Sequence, residues 1–134
     1  MKTLILIRVL SIILLIISCE RIENETDPAK IIIGKWRIVE MGNWPNMEAV
    51  EQQSGYDEYL SDSIKLEYSS NSKEPMQKIY WIDSLLNECI YDQDEHRYFN
   101  TGRFKYEFFH KNNKMRLDLK GMPIIKTFIF KRIK

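Results

Sequence analysis

A short acidic run, Asp92-Gln93-Asp94-Glu95-His96, contains the residue types that come closest to a metal site in this sequence. Carboxylates beside an imidazole can hold a cation, but a calcium loop also needs a central glycine and a distal glutamate, which the run lacks. The sequence has no zinc-ligand spacing, glycine-rich phosphate loop or nucleophile elbow either. We therefore interpret the run as a solvated turn and expect neither a metal ion nor another cofactor.

Cysteine and histidine provide the remaining candidates for nucleophilic or acid–base chemistry. Cys89 is followed by Ile90 and Tyr91, and the nearest histidine in sequence, His96, lies beyond a polar turn. Apolar neighbours favour a buried structural thiol over a reactive one. We assign no catalytic residue and expect that the protein is not an enzyme.

Aromatic residues indicate a different kind of site, a pocket for an apolar molecule. Residues 103–108 and 114–120 alternate apolar and polar side chains, and Asn112-Asn113 supplies a turn between them. This pattern predicts a hairpin with one apolar face directed inward. Together with a tryptophan from an earlier segment, the side chains predicted to bind a ligand are Trp81, Phe104, Tyr106 and Phe108.

Other short apolar segments, separated by turn signals, continue through most of the chain. They occupy residues 31–41, 64–68, 76–82, 89–91 and 124–133. They do not alternate with helices in the way that a parallel sheet requires. The sequence predicts an all-β fold, a small antiparallel up-and-down barrel of about seven or eight strands. Closure of the barrel would also remove exposed strand edges.

The longest interruption of this pattern covers residues 42–63. Within it, residues 47–53 predict a short helix with Asn46 as its cap. Connections of this length in compact domains are often lids or binding loops. Two interpretations remain open: a lid over the barrel opening, or a surface excursion whose aromatic residues pack onto the barrel end.

The amino terminus has the order of features found in a secretory signal. Lys2 and Arg8 precede an apolar run that ends at Ser18-Cys19. The run is shorter than the roughly 20 apolar residues that a membrane-spanning helix needs. Residues 20–30 are polar and acidic and predict a flexible tether.

The segment Ile16-Ile17-Ser18-Cys19 resembles the lipobox of bacterial lipoproteins. The resemblance implies cleavage before Cys19 and acylation of that residue, which would anchor the protein stably in a lipid bilayer. The expected organisation is a signal peptide at residues 1–18, a lipidated cysteine and tether at 19–30, and a barrel at 31–134. The expected location is the cell envelope, either at the periplasmic face of a membrane or at the cell surface.

The first barrel segment contains Gly34-Lys35-Trp36, and the last ends in Phe130-Lys131-Arg132-Ile133. With the lipobox and the acidic tether, these motifs resemble small lipocalin-like lipoproteins of the Bacteroidetes type. The resemblance implies that Trp36 packs under Arg132 in a cation–π contact that closes one end of the barrel. A β-sandwich can begin with the same glycine and tryptophan, so the motif alone leaves both folds open.

Charge is distributed unevenly along the chain. Residues 19–96 contain 7 Lys+Arg against 17 Asp+Glu, whereas residues 97–134 contain 11 against 2. The formal net charge is only +1, which gives no general attraction to nucleic acid. Because the alternating pattern spreads the basic residues along solvent-facing positions, we expect no nucleic-acid partner. We also expect a monomer.

Two functions fit these expectations. The first is a carrier that binds a small apolar ligand between the inner aromatic side chains. The second is a surface-anchored interaction module that binds a protein or a glycan, with a barrel filled by the same side chains. Side chains can fill the interior of an eight-stranded barrel, so the fold permits either function.

Overall fold

The computed structural model describes residues 22–51, 55–121 and 126–134. The predicted signal peptide and Cys19 lie outside these residues. Within these ranges a short helix, α1 (Pro28–Ile31), precedes nine strands. The strands are β1 (Gly34–Asn43), β2 (Asn46–Ala49), β3 (Tyr56–Tyr59), β4 (Ile64–Tyr68), β5 (Met76–Ile82), β6 (Leu86–Asp92), β7 (Arg97–Phe109), β8 (Lys114–Leu119) and β9 (Thr127–Ile133). None of the helices in the described ranges has the length and apolar character needed to cross a bilayer.

All nine strands belong to one antiparallel sheet, and the sheet closes on itself because β1 pairs with β9. The first part of β1 pairs with β3, while its second part pairs with β2. Eight strands, β1 and β3 to β9, therefore form the closed barrel, and β2 is an additional strand alongside β1. The predicted small all-β barrel is confirmed.

The prediction of a helix over residues 47–53 is wrong for residues 47–49. Residues 47–49 belong to β2, where Met47 pairs with Gly42 and Glu48 pairs with Met41. The residues of this segment favour a helix locally, but pairing with β1 places them in a strand. Residues 52–54 lie outside the described part of the chain. The 22-residue interruption, for which a lid and a surface excursion were both considered, contributes two strands, β2 and β3, to the sheet.

The segment before β1 crosses one end of the barrel, which we call the capped end. The Asp27 side chain accepts a hydrogen bond of 3.0 Å from the backbone N–H of Ala29 and begins helix α1. The helix delivers Ile31 and Ile32 into the core, where both are buried. Residues 22–30 were expected to form a flexible tether, but the Asn112 side chain donates to the carbonyls of Ile22 and Glu25 at 2.8 and 2.9 Å. This part of the tether prediction needs correction, since the segment contacts the barrel.

A continuous apolar core fills the barrel from the capped end to its middle. Its buried members are Ile32, Trp36, Tyr59, Tyr80, Leu86, Met115, Leu117 and Phe130. The predicted hairpin of β7 and β8 has the expected inward face, because Tyr106 pairs with Leu117 and Phe108 pairs with Met115. Cys89 lies in β6 and is buried, as the sequence predicted. Of the predicted last strand, residues 124 and 125 fall outside the described residues.

Candidate ligand site at the open end of the barrel

Trp36 and Arg132 form the contact that the sequence resemblance implied. The Arg132 guanidinium carbon lies 4.2 Å from the centre of the Trp36 ring, within the range of a cation–π interaction. Arg132 also donates hydrogen bonds to the carbonyl of Ile33 at 2.8 Å and to that of Ile31. Burial lowers the pKa of the Arg132 guanidinium. The pair therefore joins β1, β9 and the capping segment, and its role is structural.

The four predicted ligand-binding aromatics do not share one site. Trp81 lies on the outer face of β5 and is 44% exposed, so the expectation that it lines the interior is wrong. Phe108 packs near Trp36 with ring centres 6.1 Å apart, and the Tyr106 hydroxyl donates to the carbonyl of Asp83 at 3.1 Å. Both contacts lie toward the capped end. Only Phe104 lines a recess in the other half of the barrel.

This recess, of about 160 Å³, opens at the end of the barrel opposite the cap, which we call the open end. Its two walls differ in chemistry. One wall is apolar and consists of Ile38, Phe104, Leu117, Phe128 and Phe130. The other is polar and consists of Asp57, Lys65, Glu67, Lys78, Glu88 and Thr101.

The polar wall exists because strands β3 to β6 direct charged residues inward at this end. Lys65 pairs with Tyr59, which is fully buried, and Glu67 pairs with Asp57 on the same face. Side chains alternate between the faces of a strand, so the apolar residues of β4, Ile64 and Leu66, point outward. The inner and outer faces of this strand are thus the reverse of the usual barrel pattern.

Lys65 is the centre of the polar wall and is 4% exposed. Its ammonium nitrogen lies 2.9 Å from an oxygen of Asp57, 2.9 Å from one of Glu67 and 2.8 Å from one of Glu88. The Tyr59 hydroxyl donates to the same Glu88 oxygen at 2.9 Å. The ammonium occupies the position that a bound cation would take among these carboxylates.

Lys78 extends the network toward the mouth of the recess. Its ammonium lies 2.6 Å from Glu67 Oε1 and 3.7 Å from Glu88 Oε2. The polar wall therefore contains three carboxylates and two ammonium groups in mutual contact. Buried charges of this kind are tolerated when they are paired and hydrogen-bonded.

The pKa values of the network differ in direction. Burial raises the pKa of the Asp57 carboxyl, and the neighbouring Lys65 offsets this only in part. Burial acts in the same direction on Glu67, but Lys65 and Lys78 together bring the pKa of that carboxyl below its usual value. Burial alone would lower the pKa of the Lys65 ammonium, whereas the surrounding acidic groups raise it well above its usual value. Lys65 is charged at neutral pH, and Asp57 is the less well compensated carboxylate of the two.

Gly102 forms part of the barrel wall beside the recess, next to a bulge between β6 and β7. A Cβ atom at this position would lie 2.3 Å from the Phe104 ring. The ring therefore approaches the glycine closely through its Cε2 and Cζ atoms, and any larger residue would force the ring to move.

Two wider depressions adjoin the recess at the open end. One, of about 440 Å³, lies between β1, β2 and β9 and shares Phe128 with the recess. The other, of about 390 Å³, lies beside the turn between β4 and β5 and shares Asp57 and Glu67. A molecule whose end enters the recess could extend over either depression.

The acidic run that the sequence analysis considered for metal binding lies at the turn between β6 and β7. Asp92 Oδ1 accepts hydrogen bonds from the backbone N–H groups of Asp94 and Glu95 at 2.8 and 3.1 Å, so this carboxylate serves the turn. Within residues 22–51, 55–121 and 126–134, no cluster of three or more potential ligands is arranged to hold a metal ion.

Sequence reasoning missed the polar wall because it did not determine which face of residues 64–68 lies inside the barrel. The alternation of Ile64-Lys65-Leu66-Glu67-Tyr68 was visible, but an alternating pattern does not say which face is inside. A useful signal was the charge of the pattern: Lys65 and Glu67 share a face and have opposite charges, as a paired interior network requires.

Comparison with known protein families finds no model that matches this sequence, and comparison with curated proteins finds no similar protein either.

Proposed function

We propose that this protein is a lipid-anchored protein of the cell envelope that binds a small amphipathic ligand at the open end of a lipocalin-like barrel. The observation that carries the proposal is the recess, in which an aromatic wall containing Phe104 and Phe128 faces a charged wall centred on Lys65. Binding sites commonly combine an apolar lining with a few convergent polar groups that fix the orientation of the ligand.

The size of the recess limits the part of the ligand that enters it. A cavity of about 150 Å³ holds one benzene molecule, so a recess of about 160 Å³ accommodates one ring or a short chain. A larger molecule would leave its remainder in the adjoining depressions. The ligand that fits is more polar than the small apolar molecule expected from the sequence.

Anchoring through Cys19 is supported by the lipobox-like sequence and fits the path of the capping segment. Ile22, three residues after Cys19, contacts Asn112 at the capped end. An acylated Cys19 would therefore hold the capped end near the bilayer and direct the open end away from it. This orientation leaves the recess accessible to a ligand in the aqueous compartment.

The alternative function, an interaction module with a filled barrel, also has an observation in its favour. The barrel is packed from the capped end to its middle, and a Trp81 side chain that is 44% exposed lies on the outer surface. Such a module would bind a protein or a glycan through its exterior, and substitutions in the recess would leave that binding unchanged.

Native mass spectrometry of the full chain carrying Cys19→Ser, purified gently from its own envelope, distinguishes these functions. We expect a small molecule to co-purify and to be lost in Phe128→Ala, which removes part of the apolar wall. Trp81→Ala is the matched control, because it removes an aromatic ring from the outer face, and it should retain the molecule. Loss of the molecule in Trp81→Ala alone, or a protein without any bound molecule, would contradict the carrier function.

A further inference from the structure

The charged wall of the recess carries an excess of negative charge. Its acidic members are Asp57, Glu67 and Glu88, and its basic members are Lys65 and Lys78. Three carboxylates and two ammonium groups give a formal charge of −1. The other lining residues are uncharged, and no histidine contributes to the lining.

We propose that the polar end of the ligand is a cation of the primary ammonium class. This inference rests on the proposed carrier function and adds the chemistry of the ligand. A cation placed between the carboxylates and the aromatic wall would neutralise the excess charge, and the faces of Phe104 and Phe128 would attract it as well. An anionic ligand would add a second uncompensated charge to a partly desolvated site.

The charged residues that line the two adjoining depressions do not reverse this preference. Glu48 and Lys126 line the depression beside β2, and Glu74 lines the depression beside β4. Together these three residues contribute one further negative charge. The residues that line the recess and the two depressions therefore carry a net negative charge together, which also favours the approach of a cation.

Asp57 is the carboxylate at which the excess charge is best tested. Its pKa is raised because burial outweighs its attraction to Lys65, so an additional positive partner would stabilise its charged form. Asp57→Asn preserves the shape of the side chain and removes one negative charge, which makes the recess formally neutral.

The test compares three probes that share a benzene ring: benzylamine, benzyl alcohol and benzoate. They are titrated at pH 7.5 into the full chain carrying Cys19→Ser, and binding is followed by two-dimensional ¹H–¹⁵N NMR at the amides of Thr101 and Phe128. We expect benzylamine to bind about tenfold more tightly than benzyl alcohol, as one uncompensated charge at intermediate dielectric permits. We expect benzoate to cause no shift at these amides.

Asp57→Asn should abolish the preference for benzylamine over benzyl alcohol. Glu58→Gln is the matched control, since Glu58 is the next residue of β3 and lies on the opposite face of the strand, and it should keep the preference. Glu67→Gln neutralises the recess independently and replaces Asp57→Asn if that variant does not fold. If the unsubstituted protein binds benzyl alcohol as tightly as benzylamine or more tightly, the cation inference is overturned and the carrier function is not. If none of the three probes binds, both the cation inference and the carrier function are overturned.

Discussion

Gly34 and Arg132 show how one close contact determines residue identity at the capped end. Gly34 has a φ of +124°, and a Cβ at this position would lie 2.8 Å from Arg132 Nη1. The resemblance to lipocalin-like proteins predicted the packing of Trp36 against Arg132. It did not supply the physical reason for the glycine, which is that Arg132 must pass close to the backbone of β1 to reach the carbonyls of the capping segment.

Gly34→Ala should lower the free energy of unfolding by about 3 kcal/mol, because it combines a strained φ with displacement of the Arg132 guanidinium. Urea denaturation measures this change. Gly121→Ala is the control: Gly121 also has a positive φ, +83°, but a Cβ there would have no atom within 4 Å. Its cost should be only about 1 to 2 kcal/mol. Equal costs for the two variants would show that the contact with Arg132 does not constrain Gly34.

Asp57 and Glu67 should affect the pH dependence of stability in opposite directions. The raised pKa of Asp57 means that the folded state binds more protons than the unfolded state from about pH 3.8 upward, so the contribution of Asp57 falls as the pH rises through this window. The pKa of Glu67 is lowered from 4.5. Its contribution is therefore present above this value and is lost as the pH falls through the folded-state pKa.

Urea denaturation of Asp57→Asn and Glu67→Gln between pH 3 and pH 8 checks these signs. Relative to the unsubstituted protein, Asp57→Asn should become more stable as the pH rises, and Glu67→Gln should become less stable. Changes of the same sign in both variants would contradict the assigned distribution of charge in the network.

At the scale of elements, alternation predicted the strands well but not the face that each strand buries. The inner face predicted for the hairpin of β7 and β8 is confirmed, because Met115 and Leu117 belong to the core and Phe104, Tyr106 and Phe108 pack against it. In β4 the interior residues are charged, so an apolar-inward rule fails there. In β5, Tyr80 and Trp81 are adjacent, so the sequence did not show which of these two aromatic side chains points into the barrel. The buried one is Tyr80, whose hydroxyl donates to the carbonyl of Leu60 at 2.6 Å.

The reversed polarity of β4 predicts an unusual pattern of mutational sensitivity. Lys65→Met should lower the free energy of unfolding by about 3 to 5 kcal/mol at neutral pH, because it leaves three clustered carboxylates without their common partner. Leu66→Gln, at the next position, should cost about 1 kcal/mol or less, because Leu66 points outward. Chemical denaturation at pH 7 compares the two variants. A larger cost for Leu66→Gln would mean that the strand has the ordinary polarity.

On the scale of the whole molecule, the capping segment determines how a lipid anchor would orient the barrel. Ile22, which contacts Asn112, is the third residue after Cys19. Three extended residues span at most about 11 Å. The short distance follows from docking of the predicted tether, which composition alone could not reveal, since acidic and polar residues occur both in linkers and in hydrogen-bonded caps.

Fluorescence quenching by labelled lipid headgroups tests the proposed orientation in vesicles. A fluorophore on Lys111→Cys, in the turn next to Asn112, should be strongly quenched, while one on Asp94→Cys, at the open end, should be quenched weakly. A flexible insertion of about 15 residues between positions 21 and 22 is the control and should reduce the difference. Equal quenching at both positions without the insertion would contradict a membrane-facing cap.

Gly102 affects which molecules the barrel could accept if the sequence diverged or were redesigned. The Phe104 ring rests on the bare backbone of this residue, and a single methyl group at that position would fall 2.3 Å from the ring. The ring would then have to move, and because it lines the recess, the shape of the recess would change with it. Replacement of this one residue could therefore alter the range of ligands without any change in strand number, charge or the capped end.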